Sequence, residues 1–182
     1  MAAHTPARDR YDVARRVLSR IAHAVAIVGA AKGAERGCAT GTTMYVSLSP
    51  AMIAIAEHKG SRTTKLIQET EEFSVSLLHD SQQDIAVAAG KSADGPDKFA
   101  ALKIRTVEAP AGFHAPGVDG SVAILWCRVK EVVETGDHLL FVGEIGAHQV
   151  DERRTEPLLR YRRRYSRIGH WTSDEAPEGY PT

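Results

Sequence analysis

Cysteine is scarce in this chain: Cys38 and Cys127 are the only two among 182 residues. A disulfide framework or a cysteine-rich zinc site needs more thiols at closer spacing, so both are excluded. Two isolated thiols fit a reducing compartment. An excess of one charge is missing too. The 23 basic and 23 acidic side chains cancel to a formal net charge of zero, and nothing global argues for nucleic acid or an anionic membrane. No apolar run approaches the roughly 20 residues that span a bilayer. The opening MAAHTPARDRYDVARR lacks the apolar core of a signal peptide. The expectation is a soluble, cytoplasmic protein with no nucleic-acid and no membrane partner.

Several catalytic signatures are absent as well. There is no GxGxxG, so a nicotinamide cofactor would not sit in a Rossmann fingerprint. The eight histidines form neither HxH nor HExxH, and no metal is expected. GxSxG is missing, which leaves Ser-His-Asp catalysis unsupported.

What is present suits a globular domain. Hydrophobic residues make up 43% and charged residues 25%, and a chain of this length can bury a core without staples. The reading is a disordered N-terminus over 1–8, one domain over 9–170 and a C-terminal tail over 171–182. Val13, Val17, Leu18 and Ile21 recur at steps of three and four, which predicts a helix over about 9–22. HAVAIVGAA (23–31) predicts a buried strand, KGAERG (32–37) a turn, CATGTTMYVSLS (38–49) an extended segment and MIAIA (52–56) another buried strand. Ser61 is a plausible N-cap for a helix over about 62–72, with Leu66 and Ile67 facing inward. FSVSL (73–77) alternates as a half-buried strand should. A helix is expected from Ser81 to about Gly90, and an irregular stretch over 91–120 with a short apolar element near Phe99–Ile104. A hairpin over about 121–150 turns at Thr135-Gly136-Asp137. The segment 157–169 is an element of open type. Strands and helices alternate too unevenly for a doubly wound sheet, so a mainly β fold, a barrel with peripheral helices, is preferred.

Three segments carry chemistry. Thr40-Gly41-Thr42-Thr43 offers three hydroxyls and one unhindered backbone, where a flat ring can approach closely; it also reads as a polar strand on a solvated face. Ser61-Arg62-Thr63 places hydroxyls and a forked cation at a helix N-terminus, a natural phosphate site, with Lys59 and Lys65 nearby; it also reads as simple capping. His138, after Gly136-Asp137, can present either ring nitrogen to a ligand, or merely begin a strand. The basic run Arg160, Arg162, Arg163, Arg164 and Arg167, with Tyr161 and Tyr165 inside it, reads as a solvated face, as a nucleic-acid patch, or as a site for dinucleotide phosphates.

In order, these segments resemble the flavin reductase family. Val46-Ser47-Leu48-Ser49-Pro50-Ala51 matches its "SVSLDPP" segment, with Ala51 where a second proline is common. An apolar strand and Ser61-Arg62-Thr63-Thr64 follow in the expected places. Phe73, Val75 and Leu78 match "F-x-V-x-x-L", Asp97-Lys98-Phe99 matches "DKF", and Gly136-Asp137-His138 with Gly143-Glu144-Ile145 matches "GDH…GEV". Pro157 to Tyr165 resembles the closing "PLLYYRRRY". The likeness runs from about 11 to 169.

This resemblance implies an FMN-binding split β-barrel of Greek-key type and hydride transfer from NADH or NADPH to FMN, FAD or riboflavin. It puts Ser61, Arg62 and Thr63 on the phosphate, and Thr40, Gly41, Thr42, Thr43 and Ser47 on ring and ribityl. His138 falls to the nicotinamide or reduced-flavin side. It also implies a homodimer, with Tyr165 or Arg164 reaching the site, and a partner monooxygenase that receives the reduced flavin. Two alternatives stay open: an FMN-retaining oxidoreductase with its own substrate, and a non-enzymatic flavin-binding or storage module.

Overall fold

The computed structural model describes residues 16–170. The two expected tails lie outside the described residues, as do positions 9–15 of the expected first helix. Of the rest of that helix, Arg16 is helical and a 3-10 turn follows over Leu18–Arg20. Its apolar side chains Val17, Leu18 and Ile21 are exposed, so the face predicted to be buried is uncovered here.

Strands dominate the chain. β1 (His23–Ala24), β2 (Ala26–Lys32), β3 (Glu35–Gly41), β4 (Thr43–Leu48) and β5 (Ala51–His58) come first. They are followed by α1 (Arg62–Thr70), β6 (Glu72–Leu77), α2 (Gln83–Ala89), α3 (Lys98–Ala101), β7 (Thr106–Val107) and β8 (Gly117–Val118). The long strands β9 (Ala123–Glu134) and β10 (His138–Val150) form the expected hairpin, and β11 (Leu159–Tyr161) and β12 (Arg164–Ser166) form a second.

Seven strands make one antiparallel sheet in the order β3-β2-β6-β9-β10-β5-β4. Its edges, β3 and β4, are separated in sequence by Thr42 alone. Laid flat, six strand spacings would hold those edges about 29 Å apart, whereas Gly41 and Thr43, two steps apart, are separated by at most about 7 Å. The sheet therefore curls until its edges meet at one end. Register shifts in β10, at Val142/Gly143 and Ile145/Ala147, and in β4, at Tyr45/Ser47, mark where strands bend. The edges do not pair with each other. The expected split barrel is thus the observed fold, with its seam at residues 41–43.

The curl encloses Val28, Ile53, Ile55, Phe73, Val75, Phe141 and, from α1, Leu66 and Ile67. Burying side chains of this size contributes about 1.5–3 kcal/mol each. A second cluster, including Val25, Ile27, Phe99 and Leu158, packs β2 against α2, α3 and the segment before β11.

Several local expectations change. The turn at 32–37 shrinks to Gly33-Ala34, because Glu35–Gly41 pairs with β2 in full. The extended segment 38–49 is two strands at opposite edges, not one. β6 is buried on both faces rather than one. The loop before β8 covers its polar side, where the Ser74 hydroxyl donates to the Pro116 carbonyl at 2.7 Å and Ser76 Oγ accepts from the Val118 N–H at 2.9 Å. The helix predicted from Ser81 starts earlier: His79 caps a 3-10 turn over Asp80–Gln82 that runs into α2. The segment 157–169 is a hairpin turning at Arg162 and Arg163, both with positive φ.

Gly143, one of the motif glycines, is a packing residue. A Cβ there would lie 2.5 Å from Phe73 Cζ and 2.9 Å from Cys127 Cβ. Gly143→Ala should cost about 1–3 kcal/mol through overpacking, read as a lower urea midpoint at unchanged m-value. A neutral result would show that β10 can shift at its bulge.

Candidate functional site

A cavity of 370 Å³ lies between β3, β5 and the start of α1. β3 contributes Cys38 to Thr40, β5 contributes Ala56 to His58, and α1 contributes Ser61, Arg62 and Thr63; Gly90 to Ala93, Lys98 and His138 complete the wall. A second cavity of 220 Å³ lies between His23, Val25, Thr40, Gly41, Thr42, Ala56, His138 and Arg160. The two share Thr40, Ala56 and His138.

The α1 terminus is built as the sequence predicts. Ser61 has extended backbone and its Oγ accepts from the Thr64 N–H at 3.0 Å. Buried Leu66 and Ile67 fix the helix, so its N-terminal N–H groups and positive dipole end face the cavity. Arg62 reaches across the mouth and donates through Nη2 to the Ala93 carbonyl at 2.9 Å and through Nη1 to the Gly95 carbonyl. Thr63 is buried in the wall.

The threonines of the seam have structural bonds. Thr40 Oγ1 donates to the Ala86 carbonyl at 2.6 Å, tying β3 to α2. Thr43 Oγ1 donates to the Ala54 carbonyl at 3.0 Å, tying β4 to β5. Each hydroxyl keeps its acceptor capacity. The Cβ-free side of Gly41 faces the Glu57 carboxyl, with Oε1 3.0 Å from where a Cβ would stand, rather than open space for a ring. Thr43, Ser47 and Tyr165 line neither cavity. Tyr165 instead packs on the second core cluster, beneath the Arg160 guanidinium at 5.6 Å.

The Asp97-Lys98-Phe99 motif divides three ways. Asp97 caps α3 and pairs with Arg36 at 3.0 Å. Phe99 is core. Lys98 donates to the Ala89 carbonyl at 2.8 Å and lines the cavity, where burial holds its ammonium below the usual lysine range. His138 opens β10 and contacts Asp137 Oδ1 through Nδ1 at 2.7 Å, with its ring edge-on to His58 at 5.7 Å. That bond to His138 is the main reason the Asp137 carboxyl lies below the ordinary aspartate range.

Glu57 was not anticipated, and neither were Cys38 or His58 as wall residues; Arg160, for which a dinucleotide-phosphate site was one of three readings, lines the smaller cavity. Strand periodicity puts Glu57 in the core-facing row of Ile53 and Ile55, and its side of β5 is buried. A carboxylate at the end of MIAIAE is the one signal the sequence offered.

Comparison with known proteins gives a consistent picture. A family model described as "Flavin reductase like domain" matches residues 18–169. The chain is similar to the flavin-dependent monooxygenase reductase subunit HsaB of Mycobacterium tuberculosis, 31% identical over 71% of this chain and 70% of that protein. It is similar to the reductase component of 4-hydroxyphenylacetate 3-monooxygenase of Thermus thermophilus, 27% identical over 85% and 94% of the two chains. Among solved structures, the NADH:FAD oxidoreductase SgcE6 of Streptomyces globisporus, in complex with NAD and FAD fragments, superposes with a TM-score of 0.79. It is 26% identical over 98% of this chain and 100% of that one.

Burial pushes the Cys38 thiol up to about 11 and the Cys127 thiol up to about 12. Both should stay protonated near pH 8 and fail to react with a disulfide reagent, while urea-unfolded protein releases both. Reaction of Cys38 in the native chain would show that the β3 wall opens.

Proposed function

The chain belongs to the flavin reductase-like family, and from that membership we propose that it is the reductase component of a two-component monooxygenase system. It carries a hydride from NADH or NADPH to FMN, FAD or riboflavin taken up from solution. The observation that supports this reading best is the pair of adjoining cavities that meet at Thr40, Ala56 and His138. Such a pair suits two ring systems brought into contact.

The residues present fit a flavin. Arg62, Lys98 and the α1 N-terminus put positive charge at one end of the larger cavity, as a phosphate requires. The exposed edge backbone of β3 and the acceptor lone pairs of Thr40 serve the polar parts of ring and ribityl. When bound, flavin supplies the hydride acceptor and nicotinamide the donor. The chain's task is orientation of the two rings. His138, shared by both cavities and held by Asp137, is the group assigned to the nicotinamide side.

The same reading makes the chain a homodimer. β4 is an edge strand whose Met44, Tyr45 and Leu48 are 62%, 76% and 81% exposed, apolar surface that a second subunit would cover. The uncovered Val17, Leu18 and Ile21 add to it.

The purified chain should be colourless and should oxidise NADH or NADPH only when free flavin is added. A yellow protein that oxidises neither nucleotide would overturn the reductase reading, and absence of any flavin binding would overturn the site itself. Arg62→Ala should lose about 1.5–3 kcal/mol, roughly ten- to a hundredfold, in FMN affinity, and much less for riboflavin, which has no phosphate. Equal losses would reduce Arg62 to a clamp on the 93–95 loop.

A further inference from the structure

Glu57 is a buried carboxyl that the structure leaves without a partner. The side chain is 4% exposed, and Oε1 is fully buried with no hydrogen-bond partner. It stands in the core-facing row of β5, against Gly41 at the seam, and lines the larger cavity. A buried acceptor without a bond is costly, and an ionised one more so. A fold that keeps this group either stores that cost or meets it with a ligand.

The surroundings decide which form the carboxyl takes. From β3 it faces Cys38, from α1 Arg62, from α3 Lys98, and from β5 and β10 the two histidines His58 and His138, all on the same cavity wall. Among the described residues, no lysine or arginine lies within ion-pair distance of it. Lys98, the cation that counts, is committed to the Ala89 carbonyl. Burial pushes Glu57 up to about 7, against a smaller downward pull from Lys98. Near neutrality the acid form is therefore well populated, and the acid form is a hydrogen-bond donor.

We propose that Glu57 enters the flavin site as a neutral carboxylic acid and donates its proton in a hydrogen bond to an acceptor atom of the bound flavin. Flavin affinity then depends on the protonation of this one residue. The inference rests on the flavin reading above. No bond is broken: the proton stays on Glu57, and binding takes one up wherever the free carboxyl was ionised. The sign follows from linkage. Below the ionisation of the free carboxyl, affinity is flat. Above it, each pH unit lowers affinity by about tenfold, until the carboxyl of the complex ionises as well.

The test uses riboflavin, which has no phosphate to titrate, and measures its dissociation constant by fluorescence quenching from about pH 5.5 to about pH 8.5. The wild-type chain should lose affinity across the upper half of that range. Glu57→Gln keeps a donor that does not ionise, so its profile should be flat and its affinity at low pH close to wild type. The histidines and Lys98 are common to both chains, so any slope they cause persists in the variant. Equal slopes in the two chains, or a loss of affinity in Glu57→Gln at every pH, would overturn the proposal. Binding by neither chain would overturn the flavin site as well. Carboxyl carbon NMR of the wild-type apoprotein gives a reading that does not depend on the variant's folding. Riboflavin should raise the pH at which the Glu57 signal titrates; a downward movement would show that the carboxylate accepts rather than donates, and the proposal would fall.

Discussion

A single residue, Thr42, joins the two edges of a seven-stranded sheet, and the rest of the structure follows from that short tether. β3 and β4 lie at opposite ends of the hydrogen-bonding order, so the sheet has to close on itself at one end. Strand twist supplies part of the curl, and the register shifts in β10 and β4 supply more. The two edges do not pair with each other, and part of the outer edge of β3 is met by the 96–97 segment, where the Arg36 N–H donates to the Pro96 carbonyl at 2.9 Å. The gap between the two edges is the seam; the smaller cavity borders it at Gly41 and Thr42, and the larger adjoins the smaller at Thr40, Ala56 and His138. The site is thus a consequence of incomplete closure rather than an addition to a finished barrel.

The walls of the seam are held by bonds between elements rather than within them. Thr40 ties β3 to α2, Thr43 ties β4 to β5, Lys98 ties α3 to the end of α2, and Arg62 ties α1 to the 93–95 loop. Thr40, Arg62 and Lys98 also line the larger cavity, so groups that line it hold together the elements around it. Sites supported by strands and bonded helix ends keep their geometry better than sites on free loops. Rigidity matters here because the proposed chemistry asks the chain mainly to hold two rings at a fixed distance.

Much of this was legible in the sequence. The period of β9 and β10, the Ser61 cap and inward Leu66 and Ile67 follow from local patterns, and the order of motifs pointed to the split barrel. What was not legible was non-local. Nothing in CATGTTMYVSLS says that the strand breaks at Thr42, because both halves have the same extended propensity and only the sheet order separates them. Ser74 and Ser76 read as a solvated face, since alternation cannot report that a loop forty residues later covers it. Gly41 looked like room for a ring, but the atom that fills the space comes from Glu57, sixteen residues away and across the seam. Leu18 and Ile21 show the converse: a helical period predicts a buried face without naming what buries it.

The seam also bears on whether flavin is a resident or a passenger. A polar group already bonded within the protein adds less to ligand affinity than one left free for the ligand, because its existing bond must be shared or broken. Here the donor of Thr40 is already given to a backbone carbonyl, two N–H groups of Arg62 go to Ala93 and Gly95, and Lys98 serves Ala89. A ligand arriving at this wall finds long-range positive charge, helix N–H groups and acceptor lone pairs, but few strong bonds reserved for it. Some of the existing bonds must be shared or exchanged when it binds, and are restored when it leaves. That balance favours moderate affinity and ready release, which is what a chain supplying reduced flavin to another enzyme requires, and it weighs against the alternative of a permanently bound FMN.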